Sequence, residues 1–168
     1  MSTLNATRTP GHTTPPAGTP QRIDPRGPQF GAALTSVVLA VILLLAPHPA
    51  ALVLLALQTG FFAIGAGFGV QHTPQAYLFK TFVRPRLAAP TELEDVAPPR
   101  FAQGVGLAFA VVALVGFLTG ATVVGLVAVG FALAAALLNA VFAFCLGCEM
   151  YLLLKRISAG SARTAVTS

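Results

Sequence analysis

Charged side chains are scarce in this chain: 9% of its 168 residues are Asp, Glu, Lys or Arg, while 55% are hydrophobic. Because a soluble domain carries roughly 25% charged residues, this chain has too few of them to cover the surface of a soluble globule. Cysteine is also rare, and the two cysteines exclude the disulfide framework of a small secreted domain. These shortages exclude an ordinary soluble enzyme and indicate an integral membrane protein built as one small domain.

Long apolar runs take the place of the missing charge. A helix needs about 20 apolar residues to cross a bilayer core about 30 Å thick. The chain has four apolar blocks: residues 30–46, 50–70, 101–118 and 121–154. None contains proline, which would remove a backbone donor where no water can replace it. We therefore expect an all-α fold over residues 29–157, with four transmembrane helices in two hairpins and a cytosolic loop over residues 71–100.

The two ends of the chain are expected to lie outside this domain. Residues 1–28 are rich in Thr, Pro, Gly and Ser and bury no apolar surface, so we expect a disordered cytosolic tail there and another over residues 158–168. The fourth block would measure about 51 Å as a single helix. Its last turns should therefore reach the membrane interface, unless the helix tilts or breaks. Whether it is continuous through Gly147 stays open.

Basic residues mark one side of the membrane. The ten Lys and Arg residues lie only in the N-terminal tail, the central loop and the C-terminal segment that follows the fourth apolar block. In a four-span fold these segments share one side, and the positive-inside rule places that side in the cytoplasm. We therefore expect a multi-pass protein of the cell membrane with both termini cytoplasmic. The net charge of +5 then reflects membrane flanks rather than nucleic-acid binding.

Glycine spacing indicates how the helices pack. Gly65 and Gly69 are four residues apart, as are Gly116 and Gly120, and this spacing lets helix backbones approach closely in lipid. The pattern fits packing within the chain and homo-oligomer formation equally.

The central loop contains an amphipathic segment. Apolar residues alternate with basic ones between Tyr77 and Arg86, which predicts a short helix at the membrane interface. Glu92, Glu94 and Asp95 follow, and we interpret them as solvated charge beside a rigid turn.

The side chains that could take part in a reaction lie near the end of the fourth block: Cys145, Cys148 and Glu149. Residues three and four apart are neighbours on a helix, so the two thiols and the carboxylate would share one face. We take Cys145 and Cys148 as a candidate catalytic dithiol, which would exchange electrons with a partner dithiol or carry a persulfide, and Glu149 as its proton partner. Packing as small apolar side chains is the alternative.

The predicted position of the cysteine pair argues against a reactive thiol. At the cytosolic, C-terminal end of a continuous fourth helix, the helix dipole disfavours a thiolate. The carboxylate of Glu149 adds like-charge repulsion. A helix break at Gly147 would remove the objection from the dipole.

Metal and cofactor sites are not expected. Two cysteines supply half of the tetrahedral ligand set of zinc, and His72 is the only histidine in the central loop. The sequence contains no phosphate-binding loop and no metalloprotease helix. The blocks before Glu149 contain no Asp, Glu, Lys or Arg in their interiors, which disfavours a transporter or channel. The sequence leaves enzymatic activity uncertain and leans against it.

Several motifs resemble those of one family. They are Ile-Asp-Pro-Arg-Gly-Pro at residues 23–28, Phe-Val-Arg-Pro-Arg-Leu at 82–87, Glu-Leu-Glu-Asp at 92–95, Pro-Pro-Arg-Phe-Ala-Gln at 98–103, Leu-Asn-Ala at 138–140 and the cysteine motif. In these the chain resembles an uncharacterised family of bacterial membrane proteins, domain of unknown function 4395. The resemblance implies an actinobacterial protein encoded near thioredoxin-like or sulfurtransferase proteins.

Two functions are therefore predicted. The first is the membrane component of a thiol–disulfide or sulfur-transfer system, in which Cys145 and Cys148 face a cytosolic thioredoxin-like or sulfurtransferase partner. The alternative is a structural or accessory membrane subunit that acts by helix packing, with itself or with other proteins, in the lipid bilayer.

Overall fold

A computed structural model describes residues 21–90 and 92–165, with side chains as far as residue 158. The α-helices of this part are α1 (Arg26–Leu45), α2 (Pro49–Phe68), α3 (Pro74–Leu78), α4 (Ala97–Leu118), α5 (Thr122–Phe142) and α6 (Leu146–Ala165). Two short strands, β1 (Arg22–Ile23) and β2 (Glu94–Asp95), pair antiparallel with Arg22 opposite Asp95. Helices α1, α2, α4 and α5 are long and apolar enough to cross a membrane. This confirms the predicted all-α fold with two helical hairpins.

Prolines lie in the first turns of the helices rather than in their interiors. Pro49 begins α2 and Pro74 begins α3, while Pro98 follows the first residue of α4. The first-turn N–H groups of a helix have no intrahelical acceptor, so proline loses no bond there. Residues 21–28, assigned above to a disordered tail, instead form β1 and the first turn of α1. Their order follows from pairing with β2 and from the Asp24 Oδ1 atom, which accepts the Arg26 N–H at 3.0 Å. Residues 158–165, assigned to a second disordered tail, continue α6, while the rest of both tails lies outside the described residues.

The four long helices form a closed bundle. Helix α1 packs on α2 and α5, and α4 packs on the same two helices from the other side. Large aliphatic side chains from α1 and α2 meet small residues of α4 and α5, so the backbones approach closely. The buried centre comprises Leu39, Ile42, Leu55, Ala110, Ala113, Ala128, Val129 and Ala132.

The predicted glycine pairs serve packing within the chain. A Cβ atom at Gly65 would lie 2.8 Å from Cγ of Gln103, and one at Gly116 would lie 2.8 Å from the backbone N of Gly125. Their partners Gly69 and Gly120 lie beyond the helix ends with φ of 103° and 79°, a region that favours glycine. One glycine of each pair, Gly65 and Gly116, therefore packs inside the bundle.

The loop between α2 and α4 contains the expected amphipathic segment. Residues 74–86 are helical throughout, passing from α3 through one π turn to a 3₁₀ turn. Phe79 is buried against Phe30, with ring centroids 5.8 Å apart. Tyr77 and Phe82 are 71% and 59% exposed. One side of the segment therefore packs on α1 while aromatic rings on the other side remain exposed, as an interfacial helix requires.

The fourth apolar block is two helices, not one. Helix α5 ends at Phe142, Ala143 adopts a left-handed conformation with φ 54°, and α6 begins at Leu146. The 21 residues of α5 already span about 32 Å, the thickness of a bilayer core, so no longer helix is needed to cross it. Gly147 is not the break, because it lies in the first turn of α6.

Candidate functional site

The cysteine pair lies at the beginning of α6, which overturns its predicted place at the end of the fourth membrane helix. Cys145 directly precedes Leu146 and is the N-cap residue of α6. Its carbonyl oxygen accepts the Glu149 N–H at 3.0 Å, the first hydrogen bond of the helix. Cys148 is then the third helical residue, which places its thiol over the same turn. Both cysteines are free and half-buried.

Three donor groups act on the pKa of Cys145: the thiol of Cys148 and the backbone N–H groups of Cys148 and Gly147. These donors stabilise the thiolate and lower the pKa of Cys145 to about 7, with the Cys148 thiol as the largest cause and burial opposing it. The same hydrogen bond, with burial, raises the pKa of Cys148. At pH 7 about half of Cys145 is therefore thiolate, while Cys148 keeps its proton.

The helix dipole now favours the thiolate. The expectation that it would oppose ionisation assumed one helix running through both cysteines, and that expectation was wrong because the chain breaks before Cys145. Backbone N–H groups at a helix N-terminus carry partial positive charge. A cysteine in this position has a lowered pKa and raised reactivity.

Helix α4 holds the start of α6 in place. Gly147 is buried, and a Cβ atom added to it would lie 2.6 Å from Cα of Ala102. The rings of Phe101 and Tyr151 pack four residues further along α6, with centroids 5.8 Å apart. The glycine between the two cysteines thus allows the close approach that fixes the turn carrying both thiols.

The carboxylate that affects both thiols is Glu94, whereas the sequence pointed to Glu149. Glu149 is exposed and contributes the smallest named effect, raising the pKa of Cys148. Glu94 raises the pKa of both thiols, although the sequence placed it among solvated charges. Glu94 belongs to a motif that carries the family resemblance, but nothing in the sequence linked it to cysteines that lie about 50 positions further along the chain.

The arrangement is suited to thiol chemistry. Among the described residues, no group of three or more His, Cys, Asp or Glu side chains is placed to hold a metal ion. His72, the one loop histidine considered above, lies in a 3₁₀ turn at the end of α2. A thiolate beside a protonated thiol has the two functions of a dithiol, since one attacks a disulfide and the other resolves the mixed disulfide.

A family model described as "Domain of unknown function (DUF4395)" matches residues 23–156. The chain belongs to the DUF4395 family. The matched region of this DUF4395 protein begins in β1 and ends within α6, so it contains the four long helices, the central loop and the cysteine pair. No curated protein and no solved structure matches the chain.

Several residues of the DUF4395 motifs support the fold at the end of the bundle that carries β1, β2, residues 69–96 and the start of α6, which we call the loop face. Arg26 donates from Nη1 to the carbonyl of Ala88 at 3.1 Å. Arg100 donates to the carbonyls of Ala66 and Gly67 at 2.7 and 2.5 Å, which satisfies the C-terminal end of α2. These contacts assign the two arginines a structural role in addition to any role as topology anchors.

Proposed function

We propose that this protein is the membrane component of a thiol–disulfide exchange or sulfur-transfer system, with Cys145 as the attacking thiolate and Cys148 as the resolving thiol. The observation that carries the proposal is the position of Cys145 directly before α6, where its carbonyl accepts the first N–H of the helix and its thiol lies at the positive end of the helix dipole. A pKa of about 7 suits attack at neutral pH, because the best attacking thiol has a pKa near that of the medium.

The exchange step is balanced within the pair and its partner. The Cys145 thiolate attacks one sulfur of a partner disulfide, the partner's S–S bond breaks, and a mixed disulfide and a partner thiolate form. Cys148 loses its proton to solvent or to a carboxylate and attacks the Cys145 sulfur. The partner leaves with two thiols, and Cys145 and Cys148 are oxidised to a disulfide by two electrons. In sulfur transfer the same Cys145 thiolate would attack the outer sulfur of a partner persulfide, so that the partner's S–S bond breaks, the partner leaves as a thiolate and Cys145 becomes a persulfide.

The partner is proposed to be a soluble thioredoxin-like or sulfurtransferase protein in the cytosol. Support comes from the distribution of charge, since the described residues of the loop face include Arg22, Lys80, Arg84 and Arg86 and the positive-inside rule assigns such a face to the cytoplasm. The half-buried pair lies on that face, outside the four long helices. A soluble dithiol protein would therefore reach it without entering the bilayer.

Trapping of mixed disulfides tests this function. The Cys148→Ser variant keeps the attacking thiolate and lacks the resolving thiol, so it should accumulate a mixed disulfide with its partner in cells, detected by non-reducing gels and mass spectrometry. Cys145→Ser is the matched control and should trap far less. Equal trapping by both variants, or a wild-type pair that never forms an intramolecular disulfide in redox buffers, would contradict the proposal.

A second function, an accessory subunit that acts by helix packing, is favoured by the outer face of α2. Ala56, Gly60, Ala63 and Gly67 are all exposed there, and no atom lies within 4 Å of a Cβ built on either glycine. This small-residue stripe suits close contact with another transmembrane helix, including one from a second copy. Gly60→Leu should then dissociate an assembly that survives in mild detergent. Purification of the wild type solely as a monomer would argue against this function.

A further inference from the structure

A cavity of about 380 Å³ opens at the loop face, away from the cysteine pair. Its walls come from β1, the start of α1, residues 70–84 and α4, and it reaches Thr35. Thr35 lies nine residues into α1, a depth of about 13 Å. The volume falls within the range of small-molecule sites. The cavity is thus large and deep enough to hold a ligand group.

The charges that line the cavity favour an anion. Arg22, Lys80 and Arg84 contribute three cations, and Asp24 is the only carboxylate in the lining. The Oδ1 atom of Asp24 already accepts the backbone N–H of Arg26 at 3.0 Å. The lining therefore carries three positive charges against one carboxylate, and one oxygen of that carboxylate already accepts a hydrogen bond. The resulting excess of positive charge favours a phosphate group.

Two amide oxygens in the same cavity lack partners. Gln71 donates from Nε2 to Oε1 of Gln21 at 3.1 Å, while its own Oε1 is buried without a hydrogen bond. Oε1 of Gln75 is also buried and accepts no hydrogen bond within the described residues. Buried polar atoms in proteins are normally hydrogen-bonded, and an exception calls for a missing partner. Because an amide oxygen accepts hydrogen bonds, a ligand that pairs with these two atoms supplies donors such as hydroxyl groups.

From these observations we propose that the cavity binds a phosphate ester that carries free hydroxyl groups. Arg22, Lys80 and Arg84 contact the phosphate, and the hydroxyl groups donate to Oε1 of Gln71 and Gln75. Two sources share this chemistry: the headgroup of phosphatidylglycerol, and a soluble polyol phosphate such as glycerol 3-phosphate. Basic pockets between transmembrane helices on the cytoplasmic side are known to hold anionic lipid headgroups.

The phosphate site is separate from the dithiol. Leu93 and Gln103 line the cavity. Glu94, which follows Leu93, instead raises the pKa of both thiols, and Ala102, which precedes Gln103, contacts Gly147. The segment before α4 and the first turns of α4 thus form a wall between the two sites. The inference extends beyond the proposed function, and either can fail without the other.

Native mass spectrometry of the detergent-purified full chain tests the phosphate site. The probes are phosphatidylglycerol, phosphatidic acid (which lacks the glycerol hydroxyls) and glycerol 3-phosphate as a soluble competitor. Arg84→Gln should weaken phosphatidylglycerol binding about fivefold, the effect expected for one basic residue near a lipid surface. Arg86→Gln is the matched control, because Arg86 is an exposed arginine two residues away that does not line the cavity. Lys80→Gln repeats the test at a second position.

Each outcome decides the matter. A preference for phosphatidylglycerol over phosphatidic acid that disappears in Gln75→Leu supports the site and assigns it to lipid. Displacement of the lipid by glycerol 3-phosphate, or thermal stabilisation by that compound in lipid-free detergent, supports the site and assigns it to a soluble ligand. If none of the three probes binds, the inference is overturned. It is also overturned if Arg84→Gln and Arg86→Gln weaken phosphatidylglycerol binding equally.

Discussion

The hydrogen bond from the Cys148 thiol to the Cys145 sulfur is the largest cause of the low pKa of Cys145, so its removal gives the sharpest test of the site. Cys148→Ala deletes the S–H donor and leaves the backbone N–H in place. Cys148→Ser keeps an O–H donor and, like Cys148→Ala, leaves Cys145 as the only thiol. These two variants therefore differ in the donor alone, and each reports the pKa of Cys145 without interference from a second thiol.

The magnitude follows from the thiolate fraction. With a pKa of about 7, about half of Cys145 is thiolate at pH 7. Return to the ordinary value of 9.0 would reduce the thiolate about fiftyfold, while the more basic sulfur would attack a disulfide about eightfold faster for a Brønsted coefficient near 0.45. The observed rate at pH 7 should therefore fall about sixfold in Cys148→Ala, and less if the α6 N–H groups retain part of the pKa shift.

Stopped-flow reaction with 2,2′-dipyridyl disulfide measures this rate from pH 5 to pH 10. Because the reactive form is the thiolate, the rate should rise with pH and level off above the pKa of Cys145. The midpoint should lie near 7 in Cys148→Ser and move upward in Cys148→Ala. A midpoint near 7 in both variants would refute the role of the side-chain donor. A midpoint near 9 in both would refute the N-cap geometry itself.

Three further predictions concern the surroundings of the site. Gly147→Ala should destabilise the protein by about 1–3 kcal/mol, because its new Cβ would meet Ala102 at 2.6 Å. Thermal unfolding in detergent measures this loss. Gly104→Ala is the control, because a Cβ atom at Gly104 would meet open space. Glu94→Gln should lower the pKa of Cys145, since the carboxylate raises it, and should speed reaction with a disulfide at pH 6; an unchanged rate would remove Glu94 from the site. A membrane-impermeant maleimide should label Cys145 in inverted vesicles and not in intact cells, and the opposite pattern would reverse the predicted orientation.

The position of the helix break explains why the local sequence misled. Residues 142–145 contain neither glycine nor proline, the usual signals of a helix end, and Gly147 was the only visible candidate for a break. The structure places Ala143 in the left-handed region instead and uses Gly147 for contact with α4. The break thus depends on where α5 has crossed the bilayer thickness and on where α6 finds a surface to pack on. Neither is a property of the four residues themselves.

The low content of charged residues and the proline-free apolar blocks were sufficient to predict an all-α protein with four helices long enough to cross a membrane, because a bilayer leaves a chain few ways to satisfy its backbone. The resemblance to the family was also visible in the sequence, and the family match over residues 23–156 confirms it. Spacing also marked Cys145 and Cys148. What only the tertiary structure decided is which end of a helix carries them. That placement depends on the packing of α6 against α4, which is distant in the sequence, and it turns an unfavourable dipole into a favourable one.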